Sequence, residues 1–134
     1  MKQCTETITV FNARLDDDGY DVYVPTIITG VSWFCEIQST VDSSGLRAAN
    51  RFIIRIPADA DFGGKSYTEP RAWSASSADG LSTLAQGDII VHGAESDPLS
   101  PAQLQEKYGE IVTILGVTDS TRRPNAKHWK VVGK

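Results

Sequence analysis

The sequence predicts a mainly β protein: a small antiparallel β-barrel or sandwich of six to seven strands, with one short helix and a long irregular loop. One observation behind this prediction is a series of runs rich in β-branched and aromatic residues, several of which alternate apolar and polar side chains. Another is that glycine, proline and aspartate separate these runs at short intervals. Because 134 residues fit a single core, we expect one β-barrel-like domain over residues 1–134.

The first two strands are predicted on either side of an acidic turn. Residues 7–11 are rich in β-branched and aromatic side chains, and residues 16–19 then supply three aspartates and a glycine. Strand character resumes over residues 20–28. Pro25 lies inside this second run, so it ends the strand, bends it, or places it at an edge of the sheet, because proline has no N–H to donate.

A third strand is predicted at residues 31–37, where apolar and polar residues alternate as in a half-buried strand. Cys35 belongs to the apolar set, and we expect it to be a buried small hydrophobe. After a turn at residues 42–45, residues 51–56 alternate in the same way and stop at Pro57.

Residues 57–86 form the predicted long loop, because the alternation disappears and glycine, proline, serine and alanine dominate. Loops of this length in a compact domain are usually functional or disordered. Three aromatic residues, Phe62, Tyr67 and Trp73, are its main anchors. An ordered aromatic in such a loop packs either on its own core or on a partner, and the sequence leaves both open.

One short helix is predicted over residues 100–109. Ser100 is a good N-cap, Pro101 suits the first helical position, and Gln103 completes a capping box. Gly109 is expected to end the helix. Further strands are predicted at residues 89–91, 111–117 and 127–132.

Charge is distributed unevenly along the chain. The net charge of −4 and the pI near 5.1 argue against a protein that coats nucleic acid, since such proteins depend on a basic face. Residues 120–134 nevertheless carry +5 and no acid, so the first 119 residues carry −9. This asymmetry favours docking of the basic end on an acidic surface.

Export and membrane signals are missing from the sequence. The first residues lack the apolar run of a signal peptide, and no run approaches the roughly 18 apolar residues needed to cross a bilayer. We therefore expect no membrane partner, and we expect the protein to stay in the cell that makes it or to leave within a larger particle.

No catalytic constellation is predicted. The only histidines, His92 and His128, are far apart, no serine lies in a G-x-S-x-G context, and both histidines are expected at an edge or the surface. Cys4 and Cys35 are too few for a zinc site. We predict a protein that is not an enzyme and needs no cofactor.

The acidic clusters are the best candidates for a cation site, but turns are the favoured interpretation. Aspartates at 16–18 and Asp21 lack the spacing, central glycine and closing glutamate of an EF-hand loop. Asp59 and Asp61 precede Phe62 and two glycines, which is typical of a structural turn. No metal site is therefore predicted.

The order of these segments resembles a family of small tailed-bacteriophage head–tail joining proteins, the head-completion or stopper-like proteins. The resemblance covers most of the chain, and its most specific parts are a Gly-Asp-Ile-Ile-Val segment at residues 87–91 and a His-Trp-Lys-Val segment at residues 128–131. The other matching segments are residues 8–12, 20–24, 30–33, 51–57 and 117–119.

The resemblance implies a virion structural protein of the phage neck, assembled in the host bacterial cytoplasm. Such a protein forms a homo-oligomeric ring, twelve-fold by this resemblance, closes the DNA channel and offers a platform for the tail. Its implied partners are the head–tail adaptor or portal complex and the tail terminator or tail tube, while packaged DNA passes without specific binding. The alternatives are a tail-completion ring and, in another class, a monomeric ligand-binding β-domain.

Two sets of residues are expected to act in the ring. The loop is predicted to enter the channel or contact a neighbouring subunit, and the basic end is predicted to dock on an acidic neighbour, unless Arg122 and Arg123 are only a solvated hairpin tip. Alanine at both of these arginines is expected to weaken assembly. The loop residues are Asp59, Asp61, Phe62, Tyr67, Arg71 and Trp73, and the docking residues are Arg122, Arg123, Lys127 and Lys130.

Overall fold

The computed structural model confirms the predicted fold class: within the part of the chain that it describes, six antiparallel strands close into a barrel, and a short helix packs on its outside. The structure describes residues 6–15, 18–42, 45–69, 73, 81–108, 111–121 and 127–134. No helix in these ranges is long and apolar enough to span a membrane. The elements are β1 (Glu6–Leu15), β2 (Asp21–Asp42), β3 (Gly45–Pro57), β4 (Ser66–Tyr67), β5 (Leu81–Ser82), β6 (Ile89–His92), α1 (Pro101–Tyr108), β7 (Val112–Asp119) and β8 (His128–Gly133).

The barrel order is β1-β2-β3-β8-β7-β6, with β6 returning to pair with β1. Strand β2 is a single strand of 22 residues where the sequence predicted two. Its first half pairs with β1 as far as Val31, and from Ser32 onward it pairs with β3. Gly30 lies at this change of partner with φ of 91°, a conformation that glycine adopts without strain.

Pro25 lies in the first half of β2, opposite Phe11 of β1. In the described part of the chain no strand pairs with the other side of β2 at this position. Of the three alternatives for Pro25, the structure shows the edge position: the strand does not end there, and the missing N–H interrupts no ladder.

The hairpin of β2 and β3 continues beyond the barrel. Strand β8 pairs with β3 only over Phe52–Pro57, so residues 36–42 and 45–51 pair only with each other among the described strands. We call these two segments the β-arm. Cys35, opposite Phe52 at the rim of the barrel, is exposed, so its predicted burial is wrong. Apolar and polar residues alternate in the sequence around Cys35, but the barrel that would bury one face of the strand ends at this position.

The core fills the inside of the barrel, and a second apolar cluster lies outside it under α1. Phe11 and Val91 point away from the barrel interior and pack with Leu104 of the helix. The predicted capping box is present, since the N–H of Ser100 donates to Oε1 of Gln103 at 2.9 Å and the N–H of Gln103 to Oγ of Ser100 at 3.4 Å. Gly109 lies outside the described residues. The inner core comprises Ile8, Val10, Ile28, Val31, Phe52, Ile54, Ile56, Phe62, Leu84, Ile90, Val112, Ile114, Trp129 and Val131.

Candidate docking surface on the barrel

The acidic pair of the long loop forms a turn beside β2. Asp59 and Asp61 are both exposed. The backbone of Asp61 forms an antiparallel bridge with Thr29, with N···O distances of 2.9 and 3.1 Å, and its carboxylate accepts the N–H of Gly63 at 2.8 Å. Asp61 thus acts as a turn residue, as predicted. No group of three possible metal ligands occurs among the described residues.

The aromatic residues of the loop pack on their own barrel. Phe62 is 8% exposed and meets Trp129 edge to face, with ring centroids 5.8 Å apart. Tyr67 packs on the same indole at 4.5 Å. The sequence left two possibilities open, and the structure shows that Phe62 and Tyr67 pack on the chain's own core. The part of the loop that is exposed to a partner includes Asp59 and Asp61.

Trp73 joins the loop to the open edge of β1. Its ring is 4% exposed, its Nε1–H donates to the carbonyl of Ala13 at 3.3 Å, and the guanidinium of Arg14 lies 5.6 Å from the ring centroid. Strand β6 pairs with β1 only as far as Phe11. Trp73 therefore satisfies a β1 carbonyl beyond the end of the neighbouring strand.

A buried polar pair supports the same edge. The side-chain amide of Asn12 donates to the Thr83 carbonyl at 2.7 Å and to Oδ2 of Asp88 at 2.8 Å. Oδ1 of Asp88 accepts the N–H of Ala13 at 3.3 Å. Burial raises the pKa of the Asp88 carboxyl, and the hydrogen bonds from Asn12 and the backbone oppose that rise. These hydrogen bonds hold β1 against the residues that precede β6.

Glu95 anchors the helix. Its Oε2 accepts the Lys107 ammonium and the Tyr108 hydroxyl, both at 2.6 Å. These hydrogen bonds lower the pKa of Glu95 and raise the pKa of Lys107 and of Tyr108. The Glu95 side chain is only 5% exposed, so the ion pair fixes the last turn of α1 to the segment that follows β6.

A cleft of about 210 Å³ lies between the edge of β2 and the loop. Lys65 lines it, but its ammonium already donates to the Pro25 carbonyl at 2.7 Å and to Oγ1 of Thr26 at 3.0 Å. Burial lowers the pKa of Lys65. The cleft is smaller than the roughly 300–1,000 Å³ of usual ligand pockets. Because the Lys65 ammonium already has two acceptors on β2, its role is structural.

The two histidines lie in different surroundings. His92 is exposed, stacks on Trp33 with ring centroids 4.4 Å apart, and has Nε2 2.8 Å from Oε2 of Glu6. His128 is only 8% exposed, so the expectation of a surface or edge position is wrong for it. It begins β8 opposite Pro57.

The predicted basic docking residues are only partly described. Arg122 and Arg123 lie outside the described residues, as does Arg71 of the predicted loop set. Lys127 is exposed just before β8, and Lys130 is half-buried in β8. Because Trp129 and Val131 face the core, Lys130 lies on the outer face of the barrel.

Lys130 belongs to a basic row that crosses the outer face. It is directly opposite Arg55 of β3 and Thr118 of β7. Side chains opposite each other on one face of a sheet have Cβ atoms roughly 5 Å apart. Two cations at this spacing repel each other, and an acidic partner would relieve that repulsion.

An apolar row runs beside the basic row. Phe34 is 53% exposed and pairs with Ile53, which pairs with Val132, which in turn pairs with Gly116. Leu115, next to Gly116 at a bulge in β7, is 45% exposed. We call the two rows together the apolar–basic face; its members are Phe34, Ile53, Val132, Leu115, Arg55 and Lys130.

Sequence reasoning found Lys130 but missed Arg55, Phe34 and Leu115. The signal for Arg55 was present, since residues 52, 54 and 56 are the apolar side of the predicted strand and place Arg55 opposite. The pairing of β3 with β8 could not be read from the sequence, and it is this pairing that brings Arg55 to Lys130.

These features define a small antiparallel β-barrel with a projecting β-arm and an apolar–basic outer face. The chain belongs to a family of unknown function, DUF6751, whose family model matches residues 3–134. No curated protein and no solved structure is significantly similar to the chain.

Proposed function

We propose that this protein is a virion structural protein of the phage neck. It forms a homo-oligomeric ring, twelve-fold by the resemblance described above, at the head–tail interface. The ring closes the DNA channel after packaging and provides the platform on which the tail docks. Its partners are the adaptor or portal complex on one side and the tail terminator or tail tube on the other.

The observation that carries this proposal is the β-arm. A two-stranded ribbon is marginally stable alone in water, and its unpaired edges are templates for another strand. Residues 36–42 and 45–51 form such a ribbon beyond the barrel. A neighbouring subunit in a ring supplies the missing contacts, and repetition of one such contact around an axis closes the ring.

The charge of the chain suits a channel for DNA. The first 119 residues carry −9, and Asp59 and Asp61 are exposed on the long loop. An acidic channel wall repels the phosphate backbone, so the duplex passes without being gripped. The +5 of residues 120–134 is then available for a protein neighbour.

The test is to locate the protein in virions by electron microscopy, with a label fused after Lys134, which is exposed. Virions carrying the unlabelled protein are the control. The proposal expects additional density at the neck, between capsid and tail. Label on another part of the particle, or on no particle, would overturn it.

Removing the protein separates the stopper role from the tail-completion role. A stopper closes the head, so its absence is expected to give heads that lose their DNA, alongside finished tails. A tail-completion ring caps the tail tube, so its absence leaves filled heads and uncapped tubes. The gene of a stopper is also expected between the adaptor and tail-terminator genes.

A further inference from the structure

We infer that the apolar–basic face binds an amphipathic helix of a partner protein, in which a line of apolar side chains runs beside a line of acidic ones. The inference rests on the proposed function, because the helix belongs to one of the proteins that adjoin the ring at the head–tail interface. It names the chemistry of that neighbour and the part of the barrel that meets it.

The first argument is that the face separates its apolar and basic side chains into two rows. Both rows cross β2, β3, β8 and β7 in register. The apolar row has Phe34 at one end and Leu115 at the other, and these side chains are 53% and 45% exposed. The basic row holds two cations between two hydroxyl residues, and none of its members is acidic. In strand order the basic row is Ser32, Arg55, Lys130 and Thr118.

The second argument is the size of the two rows. Their members lie two residues apart along each strand, as Lys130 and Val132 do, so the rows are about 7 Å apart. Neighbouring strands are about 4.8 Å apart, so each row is about 14 Å long from β2 to β7. A ligand that pairs with both rows therefore needs apolar and anionic groups in two parallel lines of this length.

A helix supplies two such lines, whereas a single extended strand does not. About ten helical residues span about 15 Å. Residues three and four apart form one line along a helix, and the residues next to them around the helix form a second, parallel line. Successive side chains of a strand point to opposite sides, so a strand presents only one line to the face.

The third argument is charge, which favours a short acidic helix over an extended polyanion. Arg55 and Lys130 lie directly opposite each other, and carboxylates placed over them remove their mutual repulsion. A DNA duplex or an anionic membrane extends far beyond a row of about 14 Å and meets the rest of the chain, whose first 119 residues carry −9. A phosphate backbone also offers no apolar partner to Phe34.

The experiment titrates a fluorescent helical peptide with the full chain and measures anisotropy. The probe is a stapled helix of about 14 residues with a line of leucines beside a line of glutamates. One control peptide has the same residues in shuffled order, and the other has lysine in place of glutamate. We expect the probe to bind at least about tenfold more tightly than either control.

Substitutions on the barrel locate the contact. F34A removes the exposed aromatic of the apolar row and K130E reverses one charge of the basic row, and each is expected to weaken binding of the probe by about tenfold. K127E is the matched control. Lys127 is exposed and continues the ladder with β3, but strand alternation places it on the other side of β8 from Lys130. We expect K127E to bind the probe like the wild type.

Reversing both charges of the basic row tests complementarity directly. R55E/K130E is expected to lose the glutamate probe and to bind the lysine peptide more tightly than the wild type does. Circular dichroism spectra that match the wild type establish that each variant is folded.

Four outcomes would overturn the inference. The first two are equal binding of the probe and the shuffled peptide, and equal effects of K127E and K130E. The third is tighter binding of a single-stranded oligonucleotide or of phosphatidylglycerol vesicles than of the probe, which would assign the face to nucleic acid or to a membrane. The fourth is self-association of the wild type that K130E abolishes in sedimentation velocity, which would assign the face to a second copy of this chain.

The peptide titration and the virion label fail independently. A label at the neck with no preference for the probe removes the helix and leaves the proposed function standing. Binding that depends on Phe34 and Lys130, with the label absent from the neck, supports the docking face and removes the neck role.

Discussion

The side-chain amide of Asn12 and the carboxylate of Asp88 meet at 2.8 Å inside the barrel wall, joining β1 to the turn before β6. Asn12 is fully buried and also donates to the Thr83 carbonyl. Replacing Asn12 with alanine leaves both acceptors buried without this donor, so we expect a loss of about 2–4 kcal/mol in the free energy of unfolding. Urea denaturation measures this, with T118A on the outer side of β7 as a control that should change by less than about 0.5 kcal/mol. A near-neutral N12A would show that the pair contributes little.

Asp88 gives the stability of the barrel a distinctive pH dependence. Burial raises the pKa of this carboxyl above its ordinary value of 3.8, so the folded state holds its proton to a higher pH than the unfolded state does. The stability contributed by this site is therefore full below 3.8 and is lost as pH rises through the raised pKa. We expect the unfolding free energy of the wild type minus that of D88N to be greatest in acid and to fall to a plateau as pH rises. A difference that grows with pH would contradict the assigned direction.

Glu95 acts in the opposite direction. Hydrogen bonds from Lys107 and Tyr108 lower its pKa below the ordinary 4.5, so its contribution is present above 4.5 and is lost as pH falls through the lowered value. We expect E95Q to lose less stability than the wild type on acidification over that range, and Y108F to show a smaller change in the same sense. Thermal unfolding at a series of acid pH values measures this. Parallel curves for E95Q and the wild type would exclude the effect.

Gly133 is the point where β7 and β8 approach too closely for a side chain. A Cβ at this position would lie 2.5 Å from Cγ1 of Val112 and 2.6 Å from the Thr113 carbonyl oxygen. We expect G133A to cost about 1–3 kcal/mol through overpacking. G116A is the matched control, because Gly116 lies on the same pair of strands and a Cβ added there would meet nothing within 4 Å. Equal effects of the two substitutions in denaturant titrations would exclude a steric cause.

Two substitutions of Trp73 separate the contribution of its hydrogen bond to stability from the contribution of its packing. W73F keeps most of the buried ring area and removes the donor to the Ala13 carbonyl, so we expect a cost of about 1 kcal/mol. W73A also removes the ring from its buried site, so we expect about 3–5 kcal/mol. Chemical denaturation compares the two variants. A W73A cost no larger than that of W73F would mean that the ring is not packed as described.

The fold class, the helix and its capping box were predictable because each depends on local patterns. Ser100, Pro101 and Gln103 specify the start of α1 within four residues of sequence. An edge position was one of three alternatives for Pro25 for the same reason, since a missing N–H is a local property. The pattern around Cys35 misled because alternation reports a strand with two faces but not whether a core covers one of them.

The candidate docking surface was only partly predictable because it depends on which strands pair. Lys130 was identified from the charge of residues 120–134, but Arg55 and Phe34 join it through the β3–β8 and β2–β3 registers. These contacts are distant in sequence, and no local signal specifies them. The same holds for Asn12 and Asp88, which are 76 residues apart.

The change of partner along β2 has a mechanical consequence. The β-arm and the barrel wall share one continuous strand, since residues 36–42 of β2 belong to the arm and Asp21 to Val31 are bonded to β1. Tension applied along the arm would therefore shear many β1–β2 hydrogen bonds simultaneously instead of opening them one after another. A subunit held by its arm would resist a pull along β2 with the full length of that ladder.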